Sequence, residues 1–286
     1  MTTRVRANGI EIAYEAFGSP GDRPLLLIMG LGAQMIHWDE EFCELLAGRG
    51  HHVVRFDNRD AGESTHLGDA GTPASGGGGG APYGLGDMVD DTAGLLDALG
   101  WESAHVVGAS MGGMIAQAMA IGHPRRVRSL TSIMSTPGHA VAPPTEAAMA
   151  VLMAPPPPDR EAAIRQALST WEILGSPGYP MDRERVARTA GLGYDRGHDP
   201  AGTARQLAAI MASGDRTALL GEVTVPVLVL HGEADQLIPV AGGIATADAI
   251  PGAELVTFPG MGHDLPSPLW PDFADAIGEL TASAER

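Results

Sequence analysis

Short, nearly continuous apolar runs recur along this chain, bounded by turn residues and separated by stretches with helical apolar spacing. They are PLLLIMG (Pro24 to Gly30), HHVVRFD (His51 to Asp57), SAHVVG (Ser103 to Gly108), VRSLTSIM (Val127 to Met134), PVLVLHG (Pro226 to Gly232) and AELVTFPG (Ala253 to Gly260). A strand with no polar face must be covered on both sides, so the pattern predicts an α/β class, a mostly parallel, doubly wound sheet with flanking helices. Between the runs, Met88, Thr92, Leu95, Leu96 and Leu99 fall on one helical face that stops at Gly100. The last helix presents Leu269, Phe273, Ile277 and Leu280. At the start, VRANGIEIAYEA reads as an antiparallel hairpin turning at Asn8-Gly9.

Two stretches break the rhythm. TPASGGGGGAPYG (Thr72 to Gly84) reads as a loop joining a strand to the next helix and carries no chemistry. From about Thr136 to Leu219 no strand pattern occurs; proline-rich tracts lead into helical segments around Asp159 to Leu174, Asp182 to Ala190 and Ala201 to Ala212. The expected organisation is a core of residues 1–135 and 220–286, with residues 136–219 as a helical cap inserted where a lid would sit.

Composition narrows the function classes. The formal net charge of −17, with Asp and Glu scattered along the chain, argues against nucleic acid as a partner and disfavours a strongly anionic substrate. The N-terminus lacks the apolar run of a secretory signal, and no stretch has the length of a membrane span, so a cytoplasmic location is the expectation. The single Cys43 lies beside Phe42, Leu45 and Leu46 and reads as a buried helical residue. No His, Cys or Asp grouping has metal-ligand spacing, and no glycine loop carries a phosphate cradle, so no metal or cofactor is expected. Oligomeric state is not encoded in any feature of the sequence.

VVGASMGGMI (Val106 to Ile115) places Ser110 between Gly108 and Gly112. Among 39 glycines such a pattern is a weak signal by itself, and its position gives it weight. Gly108 ends a predicted strand, and Met111 to Ile121 reads as a helix stopped by Gly122-His123-Pro124, so the serine occupies a sharp strand-to-helix corner. A serine hydroxyl becomes a competent nucleophile only when a histidine takes its proton and a carboxylate orients that histidine. Asp235 follows the strand PVLVLHG, with Glu233 as a nearby rival, and His263 follows the final strand. His37, His66, His105 and His231 lie elsewhere in loops or strands. The chain order Ser, Asp, His sets all three at one edge of a parallel sheet.

With LLLIMGLG, RFDNRDAGEST, VVGASMGGM, VPVLVLHGEADQLIP and FPGMGHDLP in place, the sequence resembles the α/β-hydrolase family over nearly its whole length. MGLGAQMIHWDEEF, APYGLGDMVDD, TWEILGSPGYPMD and PGMGHDLPS are similar to its aclacinomycin methylesterase-type carboxylesterase branch. The resemblance implies Ser110, Asp235 and His263 as catalytic residues and the backbone N–H groups of Leu31 and Met111 as an oxyanion hole. Two positions depart from the family pattern: Met29 precedes Gly30 where many relatives have His, and Asp60 replaces a glycine in Asp57-x-Arg59-x-x-Gly62-x-Ser64, which puts the local turn in question. The implied activity is carboxylic ester hydrolysis on a small-molecule ester, with cofactor-free perhydrolysis at the same site as the alternative and a receptor of little turnover as the alternative of another class. Met149, Met153, Trp171 and Met181, with Ile173 and Leu174, are the candidate substrate walls in the cap.

Overall fold

The structure, a computed structural model, describes residues 2–68 and 82–285. Residues 72–81 of the glycine-rich stretch therefore lie outside the described residues. Eight strands form one sheet: β1 (Thr3–Ala7), β2 (Ile10–Phe17), β3 (Arg23–Ile28), β4 (His51–Phe56), β5 (Ala104–Ala109), β6 (Val127–Ile133), β7 (Val227–Gly232) and β8 (Glu254–Phe258). Their order is β1-β2-β4-β3-β5-β6-β7-β8, antiparallel at β1–β2 and β2–β4 and parallel from β4 onward. The apolar runs are the strands, most of them trimmed by a residue or two where the chain turns off the sheet. The first hairpin closes at Asn8 (φ 45°) and Gly9 (φ 81°), the paired positive values that a two-residue I′ turn requires.

Five helices accompany the strands of the sheet: α1 (Glu40–Ala47), α2 (Leu85–Ala98), α3 (Met111–Gly122) and, later in the chain, α9 (Ala241–Ala249) and α10 (Trp270–Ala284). Alternate strand residues face opposite layers. Leu26, Ile28 and Val106 pack with Met88, Leu95, Met111 and Ile115 on one side. Leu25, Leu27 and Val107 pack with Phe42, Leu46, Phe273 and Ile277 on the other, where Cys43 is also buried. This explains why the strands read as unbroken apolar runs. Burial pushes the Cys43 thiol up to about 12, so it is inert.

Between β6 and β7 the chain forms α4 (Glu146–Leu152), α5 (Arg160–Leu174), α6 (Arg183–Arg196), α7 (Pro200–Ala212) and the single turn α8 (Thr217–Leu220). Each of the first four starts at a side-chain cap. Thr145, Asp159, Asp182 and Asp199 accept from Ala148, Ala162, Arg185 and Gly202 N–H groups at 3.2, 2.8, 2.9 and 2.9 Å. The short α4 goes beyond the helical segments legible in the sequence, and α6 runs six residues past Ala190. No described helix is long and apolar enough to cross a membrane.

Candidate active site

The strand order reverses direction around β3 and β5, the kind of switch point at whose carboxyl edge open α/β sheets bind their ligands. Ser110 stands at this point, between β5 and α3, with φ 57° and ψ −119°. Such a conformation is strained for a residue with a Cβ and persists only when its surroundings enforce it. A Cβ on Gly108 would strike the Gly112 carbonyl, and one on Gly112 would strike the Ile28 carbonyl. The two glycines thus admit the chain crossing that forces Ser110 outward. Ser135 Oγ–H donates to the Ser110 carbonyl at 2.8 Å and steadies the corner from the β6 side.

His263, in the loop after β8, lies with Nε2 3.0 Å from Ser110 Oγ and Nδ1 2.7 Å from Asp235 Oδ2. With Nδ1–H donating to the carboxylate, Nε2 is the acceptor for the serine hydroxyl. Asp235 Oδ1 accepts from the Leu237 and Ile238 N–H groups, both at 2.9 Å, so its second oxygen is left to the histidine. Glu233 is exposed and binds Thr257 Oγ1 instead. Of the other histidines, His105 bonds Ser129 inside the sheet, His37 caps a turn at Gln34, and His231 bonds the Ile238 carbonyl with Asp235 Oδ2 3.7 Å away. His231 therefore braces the loop that bears Asp235.

Leu31 and Met111 flank the same corner. Among the described residues neither backbone N–H has an acceptor, and Met111 opens α3, whose unpaired N–H groups and positive end favour an anion. A Cβ on Gly30 would come within 3.1 Å of Ser110 Cβ, a measure of how closely this loop approaches the serine.

The candidate cap walls are placed less uniformly. Trp171 and Met181 line a cleft of about 280 Å³ with Ile173, Tyr179 and Gln236, and Ser110 is not among its lining residues. Leu174 is buried, whereas Met149 and Met153 are 41% and 66% exposed and point to solvent.

Sequence reasoning missed the polar groups tying residues 136–219 to the sheet edge. Asp60 adopts φ 65°, so the turn survives the loss of glycine. Its carboxylate accepts from Arg205 Nε and Nη2 at 2.9 and 2.8 Å, from Tyr83 Oη at 2.8 Å and from Leu67 N–H at 2.8 Å. Burial raises its pKa, but these donors outweigh burial and hold it below the usual value. Asp57 accepts from Arg196 Nη2 at 2.6 Å and from Met35 N–H at 2.7 Å. Ser176 Oγ accepts from Gly262 N–H at 2.9 Å and donates to the carboxylate of Asp264, while His263 N–H donates to the Leu174 carbonyl at 2.7 Å. These partners lie far apart in sequence, and no local spacing announces them. Asp60, His66 and Asp199 could offer three metal-ligand atoms within 4.8 Å of one another. Arg205 bridges both carboxylates, however, and His66 is engaged with Asp199 and the Gly62 carbonyl. An ion would have to displace that guanidinium.

The family model described as the alpha/beta hydrolase fold matches residues 23–266. This chain belongs to the α/β-hydrolase fold family. Among curated relatives, two rhodomycin D methylesterases, from Streptomyces sp. (strain C5) and Streptomyces peucetius, are each 30% identical to it over 99% of both chains. The aclacinomycin methylesterase-type likeness read from the sequence agrees with this α/β-hydrolase's relatives. Among solved structures, a meta-cleavage product hydrolase from Pseudomonas fluorescens IP01 superimposes with a TM-score of 0.77 at 22% identity, covering 99% of this chain and 98% of the other, which shows the fold.

Proposed function

We propose that this α/β-hydrolase cleaves a small-molecule carboxylic ester through Ser110, His263 and Asp235. Ester hydrolysis is the activity that the family and its named relatives support. The observation that carries the mechanism is the continuous chain of hydrogen bonds from Ser110 Oγ through His263 to Asp235 at a strained strand-to-helix corner. In this reading His263 Nε2 takes the hydroxyl proton as Ser110 Oγ attacks the ester carbonyl. The Leu31 and Met111 N–H groups receive the developing oxyanion, and His263 returns the proton to the departing alcohol. A water activated by the same histidine then releases the acid from the acyl-enzyme. Asp235 stabilises the imidazolium throughout, its other oxygen held by two backbone donors. Residues 136–219 serve as the cap over the site.

The two full-length methylesterase relatives favour a methyl ester of a bulky, largely apolar acid as the substrate class. Labelling with a fluorophosphonate, read by intact mass, is expected to give one adduct on the wild type and none on Ser110→Ala. Methanol release from methyl esters of polycyclic aromatic acids should exceed that from short alkanoates. An adduct that persists on Ser110→Ala would refute the nucleophile, and a preference for short alkanoates would refute the substrate class. Hydrogen peroxide with acetate is expected to give no more than trace peracid, which separates water from peroxide as the acceptor.

A further inference from the structure

The loop Met29 to Met35, which carries the proposed oxyanion donor Leu31, has its polar groups claimed from several sides. Met29 O accepts from Asn58 Nδ2 at 3.0 Å, and Met35 N–H donates to Asp57 Oδ1 at 2.7 Å. Gln34 Nε2 donates to the carbonyls of Gly193 and Gly197 at 2.7 and 3.0 Å, at the end of α6. Within the loop, Ala33 N–H donates to the Gly30 carbonyl at 3.2 Å, closing a turn over Leu31 and Gly32. Gly32 has φ 65°, the left-handed value that a type II turn demands at its third residue.

Two consequences follow for Leu31. The Gly30–Leu31 peptide is trans, so tying its carbonyl to Ala33 aims the Leu31 N–H to the opposite side. The same end points could also be joined by a type I turn, in which the central Leu31–Gly32 peptide is flipped. One contact from outside the loop distinguishes the two: Gly32 N–H donates to Gln206 Oε1 at 2.7 Å. Gln206 lies on α7, is completely buried, and spends its Nε2–H on the Arg59 carbonyl at 2.7 Å. Its amide is thereby fixed at both ends, between the turn after β4 and the turn after β3. Thr203, one helical turn earlier, packs against the Cα of Gly32, where any added Cβ would meet it at 2.9 Å.

We infer that Gln206 is a positioning residue that holds the Leu31–Gly32 peptide in its type II orientation and so anchors, from outside the loop, the turn whose Gly30–Ala33 closure aims the Leu31 N–H at the oxyanion. This rests on the ester-hydrolysis mechanism proposed above. It makes α7 part of the apparatus for transition-state binding, with Gln206 acting through the Gly32 N–H.

The test compares Gln206→Leu, which keeps the bulk and loses both hydrogen bonds, with Gln206→Glu, which keeps an acceptor for Gly32 N–H. The readouts are kcat and KM on p-nitrophenyl acetate and the affinity of a trifluoromethyl ketone, whose hemiketal with Ser110 places an oxyanion in the hole. Gln206→Leu is expected to lower kcat roughly 10- to 100-fold, short of the ~10²–10³ that follows outright removal of a donor. KM should stay within about threefold, ketone affinity should fall in proportion to kcat, and Gln206→Glu should lose less of both. Unchanged kcat in folded Gln206→Leu, a kcat loss with ketone affinity preserved, or an equal loss in the two variants would overturn the inference. Should Gln206→Leu fail to fold, Gln206→Glu decides by itself: kcat and ketone affinity falling together support the role, and any other pattern overturns it. Fluorophosphonate labelling of the wild type is run alongside, because its failure would sink the Ser110 mechanism and not the role of Gln206.

Discussion

Ser110 is held in a conformation that a free chain would avoid, and the surrounding backbone, not the serine, supplies the constraint. Gly112→Ala would drive a Cβ into the Ile28 carbonyl, which can move only by distorting β3. Its expected effect is loss of esterase activity together with a lowered Tm, read by thermal melting beside p-nitrophenyl acetate turnover. Asp235→Asn keeps the shape but removes the charge and invites the wrong histidine tautomer. By precedent kcat should fall about 10⁴-fold, and a fall below tenfold in a folded variant would show that Asp235 is not the orienting acid. The preference for Asp235 over Glu233 in the sequence rests on its match to the family position. The backbone donors that free Oδ2 for His263 were not legible there.

Among elements, α7 is attached to more than one loop of the sheet edge. Arg205 and Gln206 are adjacent on the helix and reach different loops, the first to Asp60 and the second to Gly32. Asp60→Gly would restore the residue best suited to φ 65°, a gain of roughly 1–2 kcal/mol. It would also take from the largely buried Arg205 its bidentate partner, leaving it only Asp199, and from Tyr83 its acceptor; breaking a buried pair costs up to about 3–5 kcal/mol. The ion pair should win, so the variant is expected to melt at a lower temperature than the parent. A higher Tm would show that strain, not the ion pair, dominates. On α2, Asp91 accepts from Arg59 at 2.5 and 2.7 Å and from Asn8 at 2.9 Å, tying the first hairpin and the β4 turn to one carboxylate. Asp91→Ala should cost about 3–5 kcal/mol in urea unfolding, because it leaves the Arg59 guanidinium buried and unpaired.

Across the whole molecule, His66 couples pH to the attachment of residues 136–219. Its ring donates to Asp199 Oδ2 at 2.8 Å and to the Gly62 carbonyl at 2.9 Å, both acceptors, so the doubly protonated ring fits. Burial opposes that charge, but the carbonyl and carboxylate outweigh burial and raise the pKa above 6.5. A pKa raised in the folded state gives stability that is complete below the unfolded value near 6.5 and is lost as pH rises through the folded value. Stability should therefore decline on the alkaline side of pH 6.5 by an increment that His66→Gln removes, measured as Tm against pH. An unchanged slope in His66→Gln would refute the link.

The sequence by itself determined the sheet, the flanking helices, the first turn and the strand-to-helix corner at Ser110, because each is written in local periodicity, in glycine placement or in apolar runs that must be covered on both faces. It also determined the order in which Ser110, Asp235 and His263 reach one edge, since parallel strands deliver their ends to the same side. Only the tertiary structure decided which carboxylate oxygen meets His263, that Asp60 can hold a glycine's conformation, and that Gln206 closes on Gly32. Those contacts join groups 28, 145 and 174 residues apart. Their geometry depends on how the α4–α8 segment settles on the sheet, and a hydrogen bond between distant segments leaves no period in the sequence that makes it.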